Sequence, residues 1–206
     1  MIELKAHNLS KNFNERIVFK NINFELSRGT SLAITGHNGS GKTTLVKIIS
    51  GLISPSSGSV EFTADLVKKA YNEIYKYIGL VGPYIQLYNS LSAWENLIFF
   101  SRMRGITPDK EKIRTFMDKL GLRGRELDDV RSYSSGMMQR LKYVTALLHE
   151  PEVFIVDEPT SNLDAAGSQI VYDILEKQKK DKILIVATNE AEESRFGEQI
   201  INLTSE

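Results

Sequence analysis

The chain has no cysteine, which excludes disulfides and thiolate metal sites and suits a reducing compartment. Long apolar runs are missing too. Stretches such as ILIVA (183–187) fall far short of the ~20 residues that a membrane-spanning helix needs. Neither sign of charge is in excess: 26 Lys and Arg stand against 26 Asp and Glu. The basic surplus that usually marks a nucleic-acid partner is therefore lacking, and no such partner is expected. Histidine is scarce, with only His7, His37 and His149. Met1 is followed by the alternating IELKAHNL, without a basic segment and an apolar stretch, so no signal peptide is expected. What remains is a soluble, cytoplasmic chain of 206 residues, long enough for one large domain with a substantial core.

Against these absences, residues 36–43 read GHNGSGKT, the G-x-x-x-x-G-K-[ST] phosphate-binding loop. A polyphosphate needs many hydrogen-bond donors close together. Gly36, Gly39 and Gly41 let the backbone of the loop, with His37, Asn38 and Ser40 between them, turn tightly enough for successive N–H groups to face phosphate. Lys42 reaches the β- and γ-phosphates, Thr43 offers a hydroxyl to Mg²⁺, and Thr44 continues the loop into a helix. The flanks fit this reading: TSLAIT (30–35) suits a buried strand, and TTLVKIIS (43–50) has helical apolar spacing. A flexible glycine loop could share this composition. Yet a chance match to the full pattern in such a chain is on the order of 1 in 100.

The opening alternates at period two, with Ile2, Leu4 and Ala6 on one face and Ile22, Phe24 and Leu26 on another strand, turning near Asn14-Glu15 and Arg28-Gly29. SVEFT (59–63) and IGLVG (78–82) read as further strands. The middle turns helical. Ser92 and Glu95 form an S-x-x-E capping box for a helix to about Met103, and Thr107-Pro108 opens a second that ends at Gly121. A third runs from about Ser135 to His149. Then follow strand (153–157), helix (164–179), strand (182–188), a short helix (190–195) and a last strand (199–203). The expected fold class is α/β: a P-loop NTPase (RecA-like) core with an N-terminal antiparallel β subdomain and an inserted α-helical subdomain. One domain spans 1–206, its core and β parts about 1–87 and 151–206, its helical part about 88–150.

VFIVDEP (153–159) is an apolar strand ending in two acids, as a Walker B strand does. Asp157 would hold Mg²⁺ through water, and Glu158 would orient and polarise the attacking water. Taken alone, the same residues could form a solvated acidic turn. YSSGMMQ (133–139) opens the third helix with small residues that leave backbone donors exposed, suiting either a γ-phosphate or an ordinary helix cap.

In their order, the P-loop, helical insertion, YSSGM turn, Asp157-Glu158 and SNLD (161–164) resemble the ATP-binding cassette (ABC) family over essentially the whole chain. YSSGM stands where that family has L-S-G-G-Q; Ser134 and Gly136 match, while Tyr133, Ser135 and Met137 depart. SNLD matches the D-loop, closed by Asp164, and Phe13 falls where the family stacks an aromatic on adenine. A buried sheet aromatic is the other reading of Phe13.

The resemblance implies an ATPase subunit of a transporter, with ATP and Mg²⁺ bound at a head-to-tail interface with a second ABC subunit, either identical or different. Ser134, Ser135, Gly136 and Asp164 would complete the nucleotide site across that interface. It further implies an integral membrane partner and a place on the inner face of the cell membrane. SLSAWENLIFF (90–100) resembles the helical region of haem-exporter ATPases of cytochrome c maturation, and YSSGM recurs among exporters of polysaccharides, lipids and drugs. The expected direction is export.

Two positions depart from the family. Where a histidine contacts the γ-phosphate, KILIVATNEAEE has Asn189, and all three histidines lie upstream. Asparagine donates a neutral amide hydrogen bond but carries no proton or charge, so slow hydrolysis is expected; Asn189 could also cap the helix at 190–195. Where the family has its Q-loop glutamine, this chain has Pro83, with Gln86 three residues later. Gln86 either serves the metal from a reshaped loop or is an exposed polar residue. Two other readings stay open: a regulatory subunit that scarcely hydrolyses ATP, and a soluble ABC protein outside transport.

Overall fold

A computed structural model describes residues 1–203 of the chain. Strands β1 (Ile2–Phe13) and β2 (Arg16–Ser27) form the hairpin whose alternation the sequence shows, with Leu4, Ala6, Phe24 and Leu26 on the buried side. Strand β3 (Ser31–Thr35) follows, then helix α1 (Lys42–Ile49). Strand β4 (Ser57–Ala64) returns against β1, and β5 (Val67–Lys69) pairs with β4, giving an antiparallel sheet in the order β2-β1-β4-β5.

A second sheet is parallel throughout, in the order β6-β7-β8-β3-β9, from β6 (Ile78–Val81), β7 (Val153–Asp157), β8 (Ile183–Thr188), β3 and β9 (Gln199–Asn202). Its central strands are near-continuous apolar runs because both faces are covered. Val153, Ile155, Ile183 and Ile185 point to one core with α1 and the antiparallel sheet. Phe154, Val156, Leu184 and Val186 point to the other core, with the helices α2 (Ala93–Met103), α3 (Lys110–Lys119), α4 (Ser135–Leu147) and α5 (Ala165–Asp181). The fold class is the expected α/β arrangement.

Local chemistry sets the helix ends. Both halves of the Ser92–Glu95 capping box form. The next helix starts later than Thr107-Pro108 suggests, at Lys110, because the Asp109 carboxylate accepts from the Glu111 and Lys112 N–H groups. The helix expected at 190–195 is a 3₁₀ turn over Glu193–Phe196. β5 and a 3₁₀ turn at Tyr71–Lys76 are not marked by the sequence pattern, both being short.

Candidate functional site

The loop between β3 and α1 carries the phosphate-binding sequence. Gly36 has φ 145° and Gly41 φ 104°, both in the left-handed region that favours glycine. A Cβ at Gly36 would collide with the Leu203 carbonyl and the Ser40 side chain, and one at Gly41 with Val18. α1 has no side-chain cap, so its first N–H groups are not taken up by one. Lys42, 6% exposed, donates from Nζ to the carbonyls of Gly36 at 2.7 Å and His37 at 3.1 Å, which holds the ammonium inside the curve of the loop. Ser40 Oγ is buried there without a hydrogen-bond partner.

β7 delivers Asp157 to the same place. Its carboxylate is fully buried, and Oδ2 accepts from Thr43 Oγ1 at 2.7 Å. Oδ1 is buried without a partner. Burial raises the pKa of this carboxyl, and the nearby charge of Glu158 adds to the rise, while the Thr43 bond opposes it. A hydroxyl beside a carboxylate with one oxygen unshared is a hard donor set that fits Mg²⁺. Glu158 has φ 55°, a left-handed conformation that costs a non-glycine residue about 1–3 kcal/mol. It is held by the Glu158 N–H donating to the Ala187 carbonyl at 2.9 Å.

These elements border one cleft of about 730 Å³, lined by Phe13, Asn38 to Thr44 and Glu158. Phe13 is 53% exposed, so it is not a buried sheet aromatic. Arg16, Ile17 and Val18, which are not among the sequence candidates, also line this cleft. The signal was the hairpin itself: Phe13 pairs with Arg16 across its tip. A neighbouring cleft of about 440 Å³ shares Asn38 and Glu158 and is lined by Asn189, Thr160 and Glu193. Asn189 is exposed and does not cap the 3₁₀ turn, whose N-cap is Glu192. Buried Glu193 accepts from the hydroxyls of Thr160, at 2.6 Å, and Thr188. It thereby ties the segment after Glu158 to the one bearing Asn189, a role with no sequence signature. Of the histidines, His7 and His37 are exposed. His149 is packed against Arg104 and the Ile78 carbonyl, with its pKa lowered to about 4 mainly by burial.

The other sequence candidates stand apart. Ser134 caps α4, accepting from the Met137 N–H at 3.2 Å, and Ser134 and Ser135 are exposed. A Cβ on Gly136 would lie 3.1 Å from the Asn162 carbonyl, so this turn rests on the SNLD loop. Asp164 caps α5 through the Gly167 N–H at 2.7 Å. None of these four residues lines either cleft, and neither does Gln86, which is exposed.

A family model described as ABC transporter matches residues 19–161. An uncharacterized ABC transporter ATP-binding protein, YhcH of Bacillus subtilis, is 38% identical over 187 residues, 90% of this chain and 60% of that protein. The chain thus spans about three fifths of that relative's length. The lantibiotic transport ATP-binding protein SrtF of Streptococcus pyogenes is 33% identical over 90% of this chain and 79% of its own length. Among solved structures, a dimeric ATP-binding cassette in a post-hydrolysis state with ADP and Pi superposes with a TM-score of 0.83. It is 29% identical, over 98% of this chain and 94% of the other.

Proposed function

The chain belongs to the ABC transporter family, and we propose that it binds MgATP in the P-loop cleft and hydrolyses it at an interface with a second cassette. One observation carries this reading: the 2.7 Å bond from Thr43 to Asp157 joins the P-loop to the Walker B strand beside Glu158, on a single cleft. Exposed Phe13 offers its ring to the adenine. The loop N–H groups and Lys42 take the phosphates. Thr43 and Asp157 would hold Mg²⁺, which when bound would supply positive charge to offset that of the phosphates. Glu158 orients and polarises the attacking water, and Asn189, facing the adjoining cleft, donates a neutral amide hydrogen bond to the γ-phosphate. A cationic histidine would stabilise that phosphate's charge better, so hydrolysis is slow.

Ser134, Ser135 and Gly136 line neither cleft of their own chain, which suits a head-to-tail pair in which each turn meets the other chain's ATP. Gathering charge from both chains at the γ-phosphate makes the closed pair depend on ATP. We assign the partner as an integral membrane subunit of an exporter, with this chain on the inner face of the membrane. No helix among the described residues is long and apolar enough to cross a membrane. Leu52, Tyr75, Ile85 and Phe100 line one apolar groove, and Tyr88 continues the patch against Phe99 and Phe100. Exposed apolar area of this kind favours a protein partner. The haem-type likeness of residues 90–100 stays a likeness of sequence. Asn189 favours a second reading, a low-activity subunit whose competent site lies on a different cassette.

The test is steady-state ATP hydrolysis by the chain purified with its membrane subunit, with Glu158→Gln beside wild type. Hydrolysis should need Glu158; a variant as fast as wild type would overturn the mechanism. Purification with nucleic acid or ribosomes, and no membrane subunit, would overturn the transport reading.

A further inference from the structure

The segment after β6 brings a half-buried tyrosine, and not its glutamine, beside the end of the Walker B strand. β6 lies parallel beside β7 with Val81 opposite Val156, so the chain leaving β6 at Gly82 passes next to Asp157. Tyr84 folds back here. A Cβ on Gly82 would lie 2.9–3.2 Å from the end of the Tyr84 ring, so the glycine makes room for it. Lys47 Nζ sits 4.4 Å from the ring centroid. Lys47 is one turn beyond Thr43 on the same face of α1, so ring and metal-binding hydroxyl share one wall. The Tyr84 hydroxyl is buried with no hydrogen-bond partner, and so is Asp157 Oδ1. A phenol is a proton donor at neutral pH in any case, and burial, then the Asp157 charge, raises its pKa further. A buried hydroxyl left unpaired is costly, and a second unpartnered oxygen on Asp157, whose charge acts on the phenol, makes a polar guest near both a way to relieve that cost. Gln86 is exposed and outside this wall.

We propose that Tyr84, and not Gln86, serves the cation from this loop, donating its phenol O–H to a water bound to the Mg²⁺ held by Thr43 and Asp157. This rests on reading the cleft as a MgATP site. Tyr84→Phe keeps the ring on Lys47 and removes only the hydroxyl. Titrating Mn²⁺ into the ADP complex of the full chain, followed by electron paramagnetic resonance, should show cation affinity about three- to tenfold weaker in Tyr84→Phe. Gln86→Ala should match wild type. ADP affinity in excess EDTA should be unchanged in both variants. Without nucleotide and metal, Tyr84→Phe should melt about 2–4 °C higher, because an unpaired buried hydroxyl has gone; a structural hydrogen bond would give the opposite sign. Wild-type Mn²⁺ affinity in Tyr84→Phe, an equal loss in Gln86→Ala, or a lower melting point would overturn the proposal. Failure of wild type to bind ADP at all would instead overturn the MgATP reading.

Discussion

Helices α1 and α4 both begin beside small residues, and their first turns are finished differently. α1 starts after Gly41 with no side-chain cap, and the Lys42 ammonium is folded into the loop that precedes it. α4 starts after Ser134, whose own hydroxyl takes the Met137 N–H, and its tip is exposed. Both ends carry the positive pole of a helix dipole. An end without a side-chain cap, lined by Thr43 and Glu158 with Asp157 buried behind Thr43, is furnished for a ligand within one chain. A self-capped end on the surface is content alone, and meets phosphate only when another molecule brings it. On the proposed function, the comparison separates binding, assigned to one chain, from hydrolysis, assigned to a pair.

The largest test of that separation is Glu158→Gln. The substitution keeps size and hydrogen bonding but removes the base, so hydrolysis should fall by about 10²–10⁴-fold while ATP affinity by isothermal titration stays within twofold or so. Next comes Lys42→Ala, which breaks the α1 side alone. Losing charge-assisted bonds to phosphate should weaken ATP binding by about 10–100-fold, in monomer and assembly equally. Ser134→Ala breaks the other side. Single-chain ATP binding should not change, whereas hydrolysis by the assembly should drop about tenfold, as for one neutral donor lost at the γ-phosphate. Thermal unfolding should register the lost cap as about 1 kcal/mol. If Ser134→Ala weakened ATP binding by the isolated chain, the turn would belong to its own chain's site, and the comparison would collapse.

What could be read beforehand divides along the same line. The alternation of Ile2, Leu4 and Ala6, the apolar runs of β7 and β8, and the capping box at Ser92 are local patterns with a single physical solution, and they fold as expected. GHNGSGKT and VFIVDE were legible because tight turns and strand ends impose residue types at fixed spacing. Glu193 was not legible, since an acid in a charged segment reads as surface until Thr160 and Thr188 close over it. Nor was Tyr84, which lies near Asp157 only because β6 happens to neighbour β7. Arg16 belongs to the cleft through hairpin pairing, a contact that no motif encodes.

Asn189→His gives the smallest effect and the finest resolution. Position 189 is exposed, its side chain makes no cap, and the neighbouring backbone is fixed by the Glu190 N–H donating to Thr188 Oγ1 at 2.9 Å. An imidazole should therefore enter without disturbing the fold, facing the cleft shared by Asn38 and Glu158. Hydrolysis by the assembled protein should rise about threefold to tenfold, well below the full range for acid–base assistance, because on the proposed reading a neutral amide already donates there. The pH profile separates two causes of the gain. A cationic imidazole with an ordinary pKa near 6.5 helps most below about pH 6.5 and fades above it. A purely positioning imidazole gives a gain that is flat in pH. No gain at any pH would mean that the missing histidine does not limit turnover, and the slow step would then lie at the α4 side, in the pairing of two chains.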